Sequence, residues 1–235
     1  MKKVITYICC IAFSFVFSQQ SLNMDLVGSL AYNQSLSDIW GYSDGKKEYA
    51  LVGIYNGFSV VDITDPSTPT ELFFISGTNS IWRDIKTWDK YAYVITEASD
   101  GLLIVDLSDE TGQTYVYTED FFSSAHNIYI DENGYAYIFG ASGSSNGGAI
   151  ILDLNQDPMN PTFAGEFDDY YLHDGMVRGD TLWGSAIYDG VFSIIDVSDK
   201  SNPVIMSSYS TSCSFTHNAW ISDDNNYLFT TDEQS

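Results

Sequence analysis

The amino-acid sequence predicts an all-β fold, a β-propeller of four-stranded antiparallel blades repeating about every 45 residues. Three observations predict it. All three histidines fall at one point of an internal repeat, in Ala125-His126-Asn127, Leu172-His173-Asp174 and Thr216-His217-Asn218, spaced 47 and 44 residues apart. Two further copies lie upstream, with Arg83-Asp84 and Ser37-Asp38 in the same two slots, at spacings of 43 and 46. Aromatic and β-branched residues are abundant, and no segment sustains a 3.6-residue period.

The first residues stand apart from this pattern. Lys2 and Lys3 precede an apolar stretch from Val4 to Phe17, followed by Ser18-Gln19-Gln20. A basic start, an apolar run and a small residue at the expected cleavage point read as a secretory signal peptide over residues 1–19. The run is shorter than the ~20 apolar residues of a membrane-spanning helix. A lipoprotein signal is the alternative, because Cys9 and Cys10 lie here. Thr6-Tyr7-Ile8, however, lacks the small residues that precede a lipidated cysteine. The remaining residues, 20–235, read as the propeller domain of a secreted or cell-surface protein. They hold a single cysteine, Cys213, so no disulfide can form within them.

Each repeat is justified strand by strand. After the His/Asx position comes a short strand, as in Ile85-Lys86-Thr87-Trp88 or Ile128-Tyr129-Ile130. A polar turn such as Asp131-Glu132-Asn133-Gly134 leads to a second strand, read at Tyr49–Ile54, Tyr91–Thr96, Tyr135–Phe139, Leu182–Ile187 and Tyr227–Thr230. The dipeptides Asn56-Gly57, Asp100-Gly101, Gly147-Gly148 and Asp189-Gly190 follow, and they predict type I′ hairpins. A third strand is the clearest, in Ser59–Ile63, Leu103–Leu107, Ile150–Leu154 and Ser193–Val197. A looser fourth strand returns to the next His/Asx position. Met24 to Ala31 reads as an isolated fourth strand ahead of the first repeat. A β-sandwich would accept such strands too, but it gives no reason for one signature to recur at these intervals.

The third strand runs apolar-apolar-Asp-apolar, then Ser/Thr-Asp and a proline, as at Asp65-Pro66 and from Asp199 to Pro203. This signature resembles the LVIVD repeat of secreted bacterial propellers, and the chain is similar to proteins of the choice-of-anchor B family. Leu103-Ile104-Val105-Asp106 and Ser59-Val60-Val61-Asp62 are the best matches, and the resemblance covers roughly residues 25–235. The copy at Asp106 departs from it, since Asp109-Glu110-Thr111-Gly112 carries no proline. The resemblance implies a fold and a location rather than an activity. Because the chain stops just after a second strand, the sequence predicts an incomplete propeller. About four blades and the start of a fifth are expected, with an anchoring or sorting tail missing from the C-terminus.

Charge narrows the function. Nine Lys and Arg against 32 Asp and Glu give a formal charge of −23. That argues against nucleic acid, whose phosphates call for basic patches, and against anionic membrane surfaces. No His-Glu-x-x-His or phosphate-binding loop is present. Chemistry therefore centres on the repeated slots, where three readings are open. Asp38, Asp84, Asn127, Asp174 and Asn218 could form a ring of oxygen ligands for Ca²⁺. His126, His173 and His217 could converge on a transition metal, although Arg83 in an equivalent slot would bring a cation beside it. Or both sets could simply cap turns and join neighbouring loops. For the third-strand aspartates Asp62, Asp106, Asp153 and Asp196, turn capping is the expectation. A Cys213–His217 metal pair is the weaker reading against simple packing of a lone thiol.

The function expected is a binding or interaction module for an extracellular protein or carbohydrate, with a possible cation in its central channel. The alternatives are a propeller metalloenzyme, hydrolase or oxidoreductase, using the repeat histidines, and a purely structural scaffold within a larger surface protein.

Overall fold

Most residues of the second and third strands of the first four repeats are apolar, a pattern that requires cover on both faces of the sheet. The computed structural model describes residues 23–234 and shows how that cover arises. The expected signal peptide lies outside the described residues. The first blade comprises β1 (Leu36–Ser43), β2 (Glu48–Ile54), β3 (Gly57–Asp62) and β4 (Thr70–Ser76). The second comprises β5 (Arg83–Trp88), β6 (Tyr91–Thr96), β7 (Leu102–Asp106) and β8 (Tyr115–Thr118). The third comprises β9 (Asn127–Ile130), β10 (Tyr135–Phe139), β11 (Ala149–Asp153) and β12 (Thr162–Phe167). In the fourth are β13 (Asp174–Arg178), β14 (Thr181–Ala186), β15 (Val191–Asp196) and β16 (Val204–Ser210). A two-stranded sheet, β17 (Thr216–Ile221) and β18 (Leu228–Asp232), follows.

Each four-stranded sheet is an antiparallel meander in sequence order. The sheets stand side by side in an open arc. Inner strand packs on inner strand, β1 on β5, β5 on β9, β9 on β13 and β13 on β17. Alternation along a strand then sends successive side chains to opposite neighbours. Tyr93 and Ile95 of β6 join Ile104, Ile128, Ile138 and Leu152 between the second and third blades. Ala92 and Val94 of the same strand join Leu51, Phe58, Val60 and Val105 between the first and second.

The outer strands are less buried, and three of them pair through a bulge at the same repeat position. Register shifts fall between Val60 and Val61, Ile151 and Leu152, and Ile194 and Ile195. Such bulges add local twist to the strand that carries them.

Met24 to Ala31 forms no strand, contrary to the expectation, because no partner strand lies beside it among the described residues. Met24, Leu26 and Val27 are exposed. Just after it, Tyr32 covers Val52, Ile54 and Val61 on the outer face of the first blade and reaches Ser59 Oγ at 2.8 Å. Tyr170 repeats this contact with Ser193 Oγ at 2.7 Å. Both third-strand serines are fully buried, and each tyrosine hydroxyl adds a partner beside Glu71 for Ser59 and Ser208 for Ser193.

The third-strand aspartates are turn caps. Asp62, Asp106, Asp153 and Asp196 each accept, at 2.9 Å, the amide two residues ahead, that of Thr64, Ser108, Asn155 and Ser198. A second turn follows at once. Asp65, Asp109, Asp157 and Asp199 accept the amides of Ser67, Thr111, Met159 and Ser201 at 2.9, 3.0, 3.2 and 3.0 Å. The hairpin glycines act differently from the type I′ expectation. β2 and β3 are joined by Tyr55 and Asn56, with Ile54 paired to Gly57 itself. Gly101 and Gly190, both at φ 64°, close longer loops in the left-handed region. Close approach is the second requirement, since a methyl group on Gly101 would strike the Thr118 carbonyl.

Candidate functional site

The crossing segments between blades bring the His/Asx slots to one end of the arc. The main chain there is pinned, with the His126 amide donating to Phe139 O at 3.0 Å and that of His173 to Ser185 O at 2.8 Å. Four of the five Asx residues, Asp38, Asp84, Asn127 and Asp174, line one cavity of about 620 Å³ together with all three histidines. Arg83, Glu97 and Glu233 complete its polar wall, while Leu36, Ile81 and Trp82 form an apolar rim.

Within this cavity the two sets of side chains do different things. Asp38 Oδ2 accepts the amide of Ile85 in the next blade at 3.0 Å, and Asp84 Oδ2 accepts that of Ile128, one blade further, at 2.9 Å. Asp84 Oδ1 also takes the ammonium of Lys86 at 2.8 Å. Asn218 donates to Asp174 Oδ2 at 3.2 Å. These Asx side chains stitch inner strands together through Asp38 Oδ2, both oxygens of Asp84 and Asp174 Oδ2. Asp38 carries a cost for it: burial, with the Asp84 carboxylate close by, pushes its pKa up to about 6.

The histidines converge instead into a row. The rings of His126 and His173 have centroids 3.9 Å apart, and those of His173 and His217 4.6 Å apart. Trp82 extends the row, 6.3 Å from His126. His126 Nδ1 lies 2.6 Å from Glu97 Oε1. Asp174 Oδ2 sits 3.4 Å from His173 Nδ1 and 3.8 Å from His217 Nδ1. The first is an ion-pair distance without hydrogen-bond alignment, so the buried His173 Nδ1 has no hydrogen-bond partner. Burial opposes a charged His173, but Asp174 and Glu233 outweigh it and raise its pKa above the ordinary histidine value.

Two groups of three side chains bring their ligand atoms within 4.8 Å of one another: His126, His173 and Asp174, and His173, His217 and Glu233. Both contain His173. Arg83 leans away from them. Its Nε donates to Ile54 O at 2.9 Å, a second nitrogen donates to Thr78 O, and Asp100 lies 3.9 Å off. Cys213 is exposed and belongs to neither group.

Glu97 and Glu233 were not singled out from sequence, yet each stands directly after the second strand of its repeat, in Thr96-Glu97 and Asp232-Glu233. That shared position was the available signal. Asp168 caps a loop by accepting the amides of Ser145 and Asn146 at 3.0 and 2.8 Å.

Comparison with known proteins agrees with this architecture. LVIVD repeats match residues 46–75, 82–117 and 186–211. No curated protein matches the chain. Among solved structures, a functionally unknown protein from Desulfotomaculum acetoxidans superposes with a TM-score of 0.66 at 14% identity, over 89% of this chain and 68% of that one. The β-propeller domain of Myceliophteria thermophila Cps50 (Swd1) gives 0.61 at 10% identity, over 86% and 64%. A chain of a nidogen/laminin complex gives 0.52 at 11%, over 74% and 63%. This chain thus spans 63% to 68% of the length of those three structures. The chain has a β-propeller fold in which LVIVD repeats are detected, with a histidine-lined cavity at one end of its blades. No helix among the described residues is long and apolar enough to cross a membrane.

Proposed function

We propose that this chain is the interaction module of a secreted, surface-associated protein, and that it takes an extracellular protein or carbohydrate at its axial end. The observation that supports this most is the cavity's construction. Leu36, Ile81 and Trp82 are each 53% exposed at its mouth, above a floor of imidazoles and carboxylates. An apolar rim around a few convergent polar groups is the usual anatomy of a binding site. Three adjacent large apolar side chains left in solvent also point to a contact surface rather than to scattered exposure. The signal-type N-terminus and the LVIVD repeats favour an extracellular setting. The likeness to a chain of a nidogen/laminin complex favours a protein ligand as one of the two classes.

The test is a binding screen against arrays of extracellular proteins and glycans, followed by titration of any hit. Trp82→Ala and Ile81→Ser should each weaken binding by at least about tenfold, which is ~1.4 kcal/mol, with melting temperature unchanged. Phe163→Ala, an exposed aromatic on the outer strand β12, should leave affinity as it was. Binding insensitive to both rim substitutions but lost in Phe163→Ala would move the site to the blade edge and refute the axial reading.

A further inference from the structure

We propose that the imidazole row is a site for a borderline divalent transition metal ion of the Zn²⁺ type, with His173 as its central ligand and His126 and His217 on either side. The inference deepens the binding reading and rests on the same cavity, but it requires no macromolecular ligand.

Four observations carry it. First, imidazole is the ligand such ions share, and both groups of three converging ligand atoms run through His173. Second, His173 is 9% exposed and its Nδ1 has no hydrogen-bond partner. An unpaired buried nitrogen is costly, and a metal ion is one way to satisfy it. Third, Glu97 holds His126 Nδ1 at 2.6 Å. A carboxylate accepting from Nδ1–H selects, in the neutral ring, the tautomer whose Nε2 can bind a metal, the carboxylate–histidine arrangement of many metal sites. Fourth, Asp174 and Glu233 supply negative charge, while Arg83 is tied to the carbonyls of Ile54 and Thr78.

Hard cations fit less well. Asp38 and Asp84 each spend a carboxylate oxygen on the amide of the following blade, which leaves fewer oxygens for Ca²⁺. Binding does require closure. Within each group, ligand atoms up to 4.8 Å apart must draw in until each is ~2.1 Å from the ion, and the two groups must close toward each other over His173. His217, with a side chain 38% exposed, has room to make that rotation.

The experiment is calorimetric titration of the full chain, stripped with a chelator, using Zn²⁺ alone and Ca²⁺ alone, with Co²⁺ absorption as a spectroscopic readout. One Zn²⁺ per chain and a nitrogen-rich Co²⁺ spectrum are expected. His173→Gln and His217→Gln should each weaken Zn²⁺ by at least about 100-fold, and Glu97→Gln by about tenfold with the Co²⁺ band shifted. If His173→Gln does not fold, His217→Gln carries the test, since its ring is partly in solvent. No Zn²⁺ heat up to roughly 1 mM, or unchanged affinity in His217→Gln, would overturn the proposal, as would Ca²⁺ binding in place of Zn²⁺. Trp82→Ala should bind Zn²⁺ like the unsubstituted chain, so failure of the rim reading and failure of the metal site appear in different titrations.

Discussion

Asp38 and Asp84 reach from one inner strand to the backbone of the next, and they do so with carboxylates that lie close together. Burial and the Asp84 charge lift the Asp38 pKa from the usual 3.8 to about 6. A raised carboxyl favours the fold when protonated. Its contribution is complete below about pH 4 and is lost as the pH rises through about 6. The chain already holds a pairing without this conflict, because Asn218 donates to Asp174 at the equivalent place. Asp38→Asn keeps an acceptor oxygen for the Ile85 amide and removes the like charge. It should stabilise the chain at pH 7.5 by about 1 kcal/mol, a figure discounted for the solvent that this carboxyl still meets. The gain should vanish near pH 4. Urea melts at the two pH values measure it, and a variant less stable at pH 7.5 would mean that the Ile85 bond needs the full anionic charge.

The tandem turn after each third strand is the element in which the acidic composition finds its use. In the first blade, Asp62 is held below the usual carboxylate range by the Thr64 hydroxyl and amide, and Asp65 by those of Ser67. Asp109 is lowered by the Thr111 and Thr114 hydroxyls, and Asp196 by the Ser198 amide and hydroxyl. At Asp106 burial works the other way, but Lys90 and Ser108 overcome it. Depressed carboxyls stabilise the fold above their unfolded value and lose that contribution as pH falls through the folded one. Melting temperature should therefore drop steeply below about pH 4. Replacing these five aspartates with asparagine keeps an acceptor for each turn and should flatten that acid limb. An unchanged limb would place acid sensitivity elsewhere among the carboxylates. The same element shows what the sequence could tell. Asp-apolar-Ser/Thr-Asp is a turn signal because a short side-chain oxygen reaches the amide two residues on. The proline is dispensable: the Asp109 copy lacks it and closes on Gly112, at φ 66°.

At the scale of the whole molecule, the blades were legible and the cavity was not. Strand positions follow from local apolar runs and turn residues, and the second and third strands lie within a residue or two of their predicted bounds. The metal-like cluster depends on long-range facts that local pattern does not carry. Arg83 turns into the junction of the first two blades while the histidines of the next three slots line up with tilted rings, and Glu97 arrives from a neighbouring repeat. What does follow from a repeat is its mechanics, since each sheet gains cover mainly from its two neighbours. The second and third blades are covered on both faces, whereas the β17–β18 sheet leaves Trp220 and Phe229 50% and 62% exposed. Amide exchange should accordingly be slowest in β6, β7, β10 and β11, and fastest in β17 and β18. Ile104→Ala, at a fully buried position between the second and third blades, should cost about 2–5 kcal/mol. In a chain of nearest-neighbour interfaces, that loss should speed exchange in those two blades far more than in β17 and β18. Equal acceleration everywhere would show instead that the arc opens as one cooperative unit.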